Sequence, residues 1–149
     1  MSYSDLINED LKKAMLAREK DKLEAIRAIK AAFIVARADV GASSVLDEAD
    51  ELKIIQKLVK QRKDSAAIYI QQSRQDLADK ELFEAAIIEK YLPAQMTEQE
   101  IMEVIKKIIS ETGAAGMKDM GKVMGLATKE LAGKAEGRLI STAVKQLLS

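Results

Sequence analysis

The chain has 149 residues, of which 48% are hydrophobic and 32% charged, a profile typical of a folded protein. It contains no cysteine and no histidine, which excludes disulfides, thiol nucleophiles and the commonest general base and metal ligand. We therefore expect no metal site and no cofactor. Aromatic residues make up only 3% of the chain, which argues against an all-β fold.

The beginning of the chain lacks the basic region and apolar core that define a signal peptide. No apolar run in the sequence approaches the length of a membrane span. These two features predict a cytoplasmic protein that has no membrane partner.

The charges balance at 24 basic and 24 acidic residues, but they are distributed unevenly. Residues 118–149 carry a net charge of +3, because they hold six basic residues (Lys118, Lys122, Lys129, Lys134, Arg138, Lys145) and three acidic ones (Asp119, Glu130, Glu136). A basic C-terminal region predicts an anionic partner.

Apolar residues at helical spacing, separated by capping residues, predict four helices in the N-terminal part of the chain. Their approximate bounds are 4–17, 21–41, 47–73 and 76–91. Ser4, Asp21 and Asp47 are the expected caps of the first three helices, and residues 41–44 are the expected loop after the second.

The single proline, Pro93, marks the boundary between two parts, because the residue before a proline is disfavoured in α conformation. After it, Thr97 and Glu100 form a capping box for a fifth helix, and Gly113 fits the C-terminal cap. Two further helices are predicted at about 118–131 and 136–148. We therefore predict an all-α chain with an N-terminal bundle of long helices, 1–93, and a compact C-terminal three-helix domain, 94–149.

One cation lies within an apolar helix face. Arg62 falls in the apolar stripe of the third helix, while Glu81 and Glu84 lie in or beside the apolar face of the fourth. We predict that Arg62 pairs with one of these glutamates. Such a buried pair would specify how the two helices pack more than it would stabilise them.

The segment 118–129 is the most informative for function. At about 100° per residue, Met120, Val123, Met124, Ala127 and Leu131 share one side of a helix, and the opposite side carries Lys118, Lys122, Gly125 and Lys129, with Gly121 beside them. A glycine inside a helix costs roughly 1 kcal/mol relative to alanine, so these glycines require a reason. The reason is either close approach of a phosphodiester backbone or close packing of a neighbouring helix.

A glycine-containing segment, GKAEGR (133–138), joins the last two predicted helices. The backbone N–H groups at the start of the last helix can bind an anion. The segment matches neither GxGxxG nor the P-loop pattern, so an ordinary tight turn is the preferred interpretation.

Five segments together resemble the YqeY family across essentially the whole chain: KQRKDS (60–65), RQDL (74–77), YLPAQ (91–95), DMGKVM (119–124) and GKAEG (133–137). That family is similar to the tail of GatB, a subunit of the glutamine-dependent amidotransferase that converts misacylated Glu-tRNA or Asp-tRNA. The resemblance implies the two helical domains described above and a role in holding tRNA. The matching positions are Lys118, Gly121, Lys122, Gly125, Gly133, Lys134 and Gly137, together with Arg138, where the family more often has a small or polar residue.

Three hypotheses on function follow. The first is a non-catalytic accessory protein that binds the backbone of tRNA or another structured RNA, and the second is a helical adaptor for a translation-related protein partner. The third is a carbon–nitrogen ligase with glutamine as amido donor. It rests on the family label alone, because the sequence shows no GxSxG or SxxK motif and no acid–base pair.

Overall fold

The computed structural model describes residues 2–41 and 45–149, and all regular structure in these ranges is helical. The all-α fold class is therefore confirmed. The helices are α1 (Tyr3–Leu16), α2 (Lys20–Val40), α3 (Glu48–Gln71), α4 (Gln75–Glu89), α5 (Glu98–Thr112), a 3₁₀ turn (Met117–Asp119), α6 (Met120–Glu130) and α7 (Gly137–Leu148). In the described ranges, no helix combines the length and the apolar character needed to cross a bilayer.

The start of α1 differs from the expectation that Ser4 is its cap. Ser2 is the N-cap, because its hydroxyl accepts the N–H of Asp5 at 3.1 Å while the Asp5 carboxylate accepts the N–H of Ser2 at 3.3 Å. Ser4 lies inside the helix and donates from both its N–H and its hydroxyl to Oε2 of Glu51, at 3.1 Å and 3.0 Å. Glu51 is the buried charged residue of the described core, and Ser4 supplies two hydrogen bonds to one oxygen of its carboxylate.

The start of α2 also differs from the prediction, since no side chain caps it and Asp21 lies in its first turn. The turn before it is closed by the backbone: Arg18 has a left-handed φ of 57°, and the N–H of Glu19 donates to the carbonyl of Ala14. Gly41 follows the helix as its C-cap, and the remainder of the expected loop, 42–44, lies outside the described residues.

Three other helix termini agree with the sequence. The Asp47 carboxylate accepts the N–H of Asp50 at 2.8 Å and caps α3. Thr97 and Glu100 form both hydrogen bonds of the predicted capping box of α5. Gly113 ends α5 with a left-handed φ of 67°, a conformation that glycine adopts without a steric penalty.

The chain divides into two compact units, Met1–Leu92 and Pro93–Ser149, each with its own apolar core. In the first unit, α3 and α4 form an antiparallel pair that packs with α1 and α2. The largest fully buried side chains of this unit are Ile7, Ile26, Ile29, Ile55 and Ile88. In the second unit, α5, α6 and α7 surround a core that includes Ile101, Ile105, Val123, Leu131, Ile140 and Val144.

Arg62 meets one of its two predicted partners between α3 and α4. Its Nε donates to Oε2 of Glu84 at 3.1 Å, and the two side chains are only 16% and 15% exposed. Its Nη1 also donates to the carbonyl of Leu58 at 3.3 Å. Glu81 has no ion-pair partner in the part of the chain that the structure describes, so of the two glutamates Glu84 alone is brought to Arg62.

Candidate nucleic-acid interface

The segment before α6 folds more tightly than the sequence predicts. Residues Met117–Asp119 form a 3₁₀ turn, and α6 begins only at Met120. The Asp119 carboxylate accepts the N–H of Ala115 at 2.9 Å, which holds the turn against the preceding loop. Lys118 is therefore exposed on this turn and not on the helix itself, contrary to the predicted helix start at residue 118.

The inward side of α6 is the one that the periodicity predicts. Val123 and Ala127 are fully buried against α5 and α7, and Met120 and Met124 are partly buried on the same side. Leu131 follows the helix and is also buried. These contacts fix the rotation of α6 and direct its other side away from the core.

The outward side of α6, together with Lys118 on the preceding 3₁₀ turn, forms a surface that we call the α6 lysine–glycine face: Lys118, Gly121, Lys122, Gly125 and Lys129, all of them exposed. Leu126, which the predicted face did not include, lies on the same side and is 43% exposed. The spacing could have indicated this, because Leu126 lies four residues after Lys122 and three residues before Lys129. Residues at these distances share a helix face.

The two glycines of this face do not serve packing inside the described chain. A Cβ built on Gly121 or on Gly125 would meet no heavy atom within 4 Å beyond the helix's own backbone. The second explanation from the sequence, a neighbouring helix packed on small residues, therefore does not hold within these residues. The space over both glycines is open to an external molecule.

The lysines of the face carry unneutralised charge. Within the described part of residues 93–149, the one ion pair is that between Lys106 and Glu103 on α5. Lys118, Lys122 and Lys129 have no carboxylate within ion-pair distance there. Their positive charge is consequently available to an anionic partner.

The segment between α6 and α7 serves mainly to hold the start of the second unit. Gly133 is buried with a left-handed φ of 76°, and its carbonyl accepts the side-chain amide of Gln95 at 2.8 Å. The carbonyl of Lys134 accepts the N–H of Met96 at 2.9 Å. The N–H groups of Lys134 and Ala135 donate to the carbonyl of Leu131. These groups are therefore engaged within the protein, as in an ordinary tight turn.

The remaining predicted contact residues lie near the start of α7. The Lys134 side chain is exposed, Gly137 is the first residue of α7, and Arg138 is exposed beside it. No side chain caps this helix start among the described residues. In residues 2–41 and 45–149, no cluster of three or more acidic side chains is placed to hold a metal ion.

The fold and the site together define a small all-α protein with a basic, glycine-containing helix face. The family of YqeY-like proteins matches residues 4–148, and the chain belongs to this family.

Fungal proteins are similar to the chain, among them several named altered inheritance of mitochondria protein 41, mitochondrial. That of Clavispora lusitaniae is 37% identical over 107 residues, which cover 70% of this chain and 61% of the relative. That of Vanderwaltozyma polyspora is 31% identical over 144 residues, covering 93% of this chain and 77% of the relative. That of Saccharomyces cerevisiae strain YJM789 is 32% identical over 140 residues, covering 92% and 72%. The chain thus spans 61% to 77% of the length of these relatives.

The names of these relatives contradict the cytoplasmic location predicted above. Each of these relatives is named as a mitochondrial protein, and this finding overturns the expectation. The prediction was wrong because it relied on the lack of a secretory signal, a feature that does not distinguish the cytoplasm from an organelle.

Proposed function

We propose that this protein is an accessory RNA-binding protein that holds tRNA, or another structured RNA, through the α6 lysine–glycine face. The observation that carries the proposal is the open space over Gly121 and Gly125 beside exposed, unpaired lysines. Without side chains at these positions, a sugar–phosphate strand can approach the helix backbone closely. The resemblance to the GatB tail is the reason for placing tRNA first.

The spacing of the cations suits a strand that runs along the helix. Lys122 and Lys129 are seven residues apart on α6, which is about 10 Å at 1.5 Å per residue. Ammonium groups act as point charges on phosphates and do not read bases, so the binding should depend on salt and only weakly on sequence. RNA shape would then provide the selectivity.

Filter binding at low salt tests the proposal directly. Total tRNA is the first probe, and mitochondrial tRNA is the second because the fungal relatives are named as mitochondrial proteins. We expect Lys122→Glu/Lys129→Glu to weaken binding of both. The loss of two phosphate contacts should also reduce the magnitude of the slope of log K against log salt by about 1.4–1.8.

The matched control is Lys53→Glu/Lys57→Glu, which reverses two exposed lysines on α3 and has no ion pair to break in the described structure. It should bind RNA like the unaltered protein, apart from the small uniform effect of a changed net charge. No affinity for tRNA at low salt, or equal losses in the two variants, would overturn the proposal.

A further inference from the structure

A second basic surface lies in the first unit, on the exposed side of α2. Arg27, Lys30, Ile34 and Arg37 recur at helical spacing and share one face. All four are exposed, Ile34 to 57%. In the described chain none of the three cations forms an ion pair. We call these four residues the α2 basic stripe.

A small groove between α1 and α2 adjoins the stripe. Its volume is about 60 Å³, and Lys30, Ile34 and Arg37 of the stripe line it. The core residues Ile7 and Phe33 contribute further apolar surface, and the rest of the lining is polar, from Ser4 and Asn8. One water needs about 10–15 Å³ of cavity space. A groove of about 60 Å³ therefore has room for several waters, or for roughly one aliphatic side chain.

The combination of an apolar centre and flanking cations discriminates between two classes of macromolecule. A phosphodiester strand would neutralise Lys30 and Arg37 but leave Ile34 and the groove uncovered. A protein segment can cover both, since one apolar residue fills the groove while carboxylates meet the cations. The surface therefore favours a protein over a nucleic acid.

We propose that the α2 basic stripe docks an acidic, amphipathic helical segment of a partner protein. One aliphatic side chain of the partner enters the groove, and its carboxylates pair with Lys30 and Arg37. These two residues are seven positions apart, so carboxylates about two turns apart on the partner helix match them. This docking is independent of RNA binding by α6.

Fluorescence anisotropy with the full chain tests the docking. The probe is a labelled helical peptide of about five turns that carries leucines at i, i+4 and i+7, flanked by glutamates. A second peptide has serine at the leucine positions. We expect the leucine peptide to bind more tightly than the serine peptide, because only the leucine peptide fills the groove.

Substitutions in the α2 basic stripe test where the peptide binds. Lys30→Glu/Arg37→Glu should weaken the leucine peptide at least about tenfold, since charge complementarity becomes repulsion. Ile34→Ala should weaken the leucine peptide and leave the serine peptide unchanged. Lys53→Glu/Lys57→Glu, matched in the type of substitution, should bind like the unaltered protein.

The docking proposal fails if neither peptide binds or if the two peptides bind equally well. It also fails if Lys30→Glu/Arg37→Glu and the control variant lose the same peptide affinity, or if Lys30→Glu/Arg37→Glu loses affinity for tRNA and keeps its affinity for the peptide. A dimer that the stripe variant abolishes, in the absence of peptide binding, would identify a second copy as the occupant and would likewise overturn it. Lys122→Glu/Lys129→Glu should leave peptide binding intact, so the RNA and docking proposals can fail separately.

Discussion

The phenolic hydroxyl of Tyr91 donates a 2.6 Å hydrogen bond to Oδ2 of Asp10, joining residues 81 positions apart in the sequence. Tyr91 follows α4, whereas Asp10 lies in the middle of α1. Both side chains are partly buried. The bond therefore links the end of the first unit to its first helix, through a residue of the YLP motif that marks the family resemblance.

Tyr91→Phe should lower the free energy of unfolding by about 1–2 kcal/mol, because it removes a partly buried hydrogen bond to a charged acceptor. Urea denaturation of the full chain measures the change. Tyr69→Phe is the matched control, since the Tyr69 hydroxyl makes no hydrogen bond in the described structure and its loss should cost less than about 0.5 kcal/mol. Equal effects of the two substitutions would show that the bond to Asp10 contributes nothing.

The same bond predicts a loss of stability in alkali. Burial, and the Asp10 carboxylate beside it, raise the pKa of Tyr91 above the ordinary value of 10.0. The unfolded chain loses this proton near pH 10 while the folded chain retains it, so above that pH the unfolded state binds fewer protons and stability falls as pH rises. The stability difference between the unaltered protein and Tyr91→Phe should be constant from about pH 7 to 9 and shrink above pH 10. A difference that persists unchanged to pH 11.5 would contradict this assignment.

The pair Arg62–Glu84 should show strong coupling in a double-mutant cycle. Arg62→Met or Glu84→Leu alone should destabilise the protein by about 2–3 kcal/mol, since each leaves a mostly buried charge without its partner. The double variant should be destabilised less than either single one, because it removes both charges and retains apolar volume. Effects that simply add, measured by urea denaturation, would mean that the two side chains do not interact energetically.

The glycines of α6 should show opposite effects on stability and on binding. Gly121→Ala and Gly125→Ala should each stabilise the protein by about 0.5–1 kcal/mol, because alanine favours the helix and its Cβ meets open space. The same substitutions should weaken binding of tRNA, since the methyl groups occupy the space proposed for the strand.

Gly113→Ala is the comparison for these two glycines. It also meets open space, but its left-handed φ of 67° makes alanine unfavourable by about 1–2 kcal/mol. In thermal or urea unfolding, Gly113→Ala should therefore lower the stability of the protein, whereas the two α6 substitutions should raise it. Unchanged RNA affinity in the stabilised Gly121→Ala/Gly125→Ala variant would remove the glycines from the proposed interface.

Features that depend on neighbouring residues could be predicted well. Helix caps depend on hydrogen bonds and dihedral angles that involve only a few residues along the chain. Asp47 and the Thr97–Glu100 pair cap helix starts in this way, and Gly113 caps a helix end. Ser4 was assigned wrongly for a related reason: two serines near the start can each cap a helix, and the reciprocal bond between Ser2 and Asp5 determines which one does. The actual partner of Ser4, Glu51, is 47 residues away.

The candidate site could be predicted in part. The spacing of Lys122, Gly125 and Lys129 sufficed to place them on one side of a helix, opposite Val123 and Ala127. It did not reveal whether another helix covers the glycines, and it did not show that Gly133 is buried with its carbonyl hydrogen-bonded to Gln95. Both facts depend on how separate segments pack, which periodicity does not encode.

Local sequence patterns predicted the all-α class, the caps of α3 and α5 and the inward side of α6, because backbone hydrogen bonds and a period of 3.6 residues are local properties. Helix packing brings Glu84 to Arg62 and Tyr91 to Asp10, and it leaves the space over Gly121 and Gly125 open. It also created the groove between α1 and α2 beside Lys30 and Arg37. Such contacts join residues distant in sequence, and their geometry is set by helix packing.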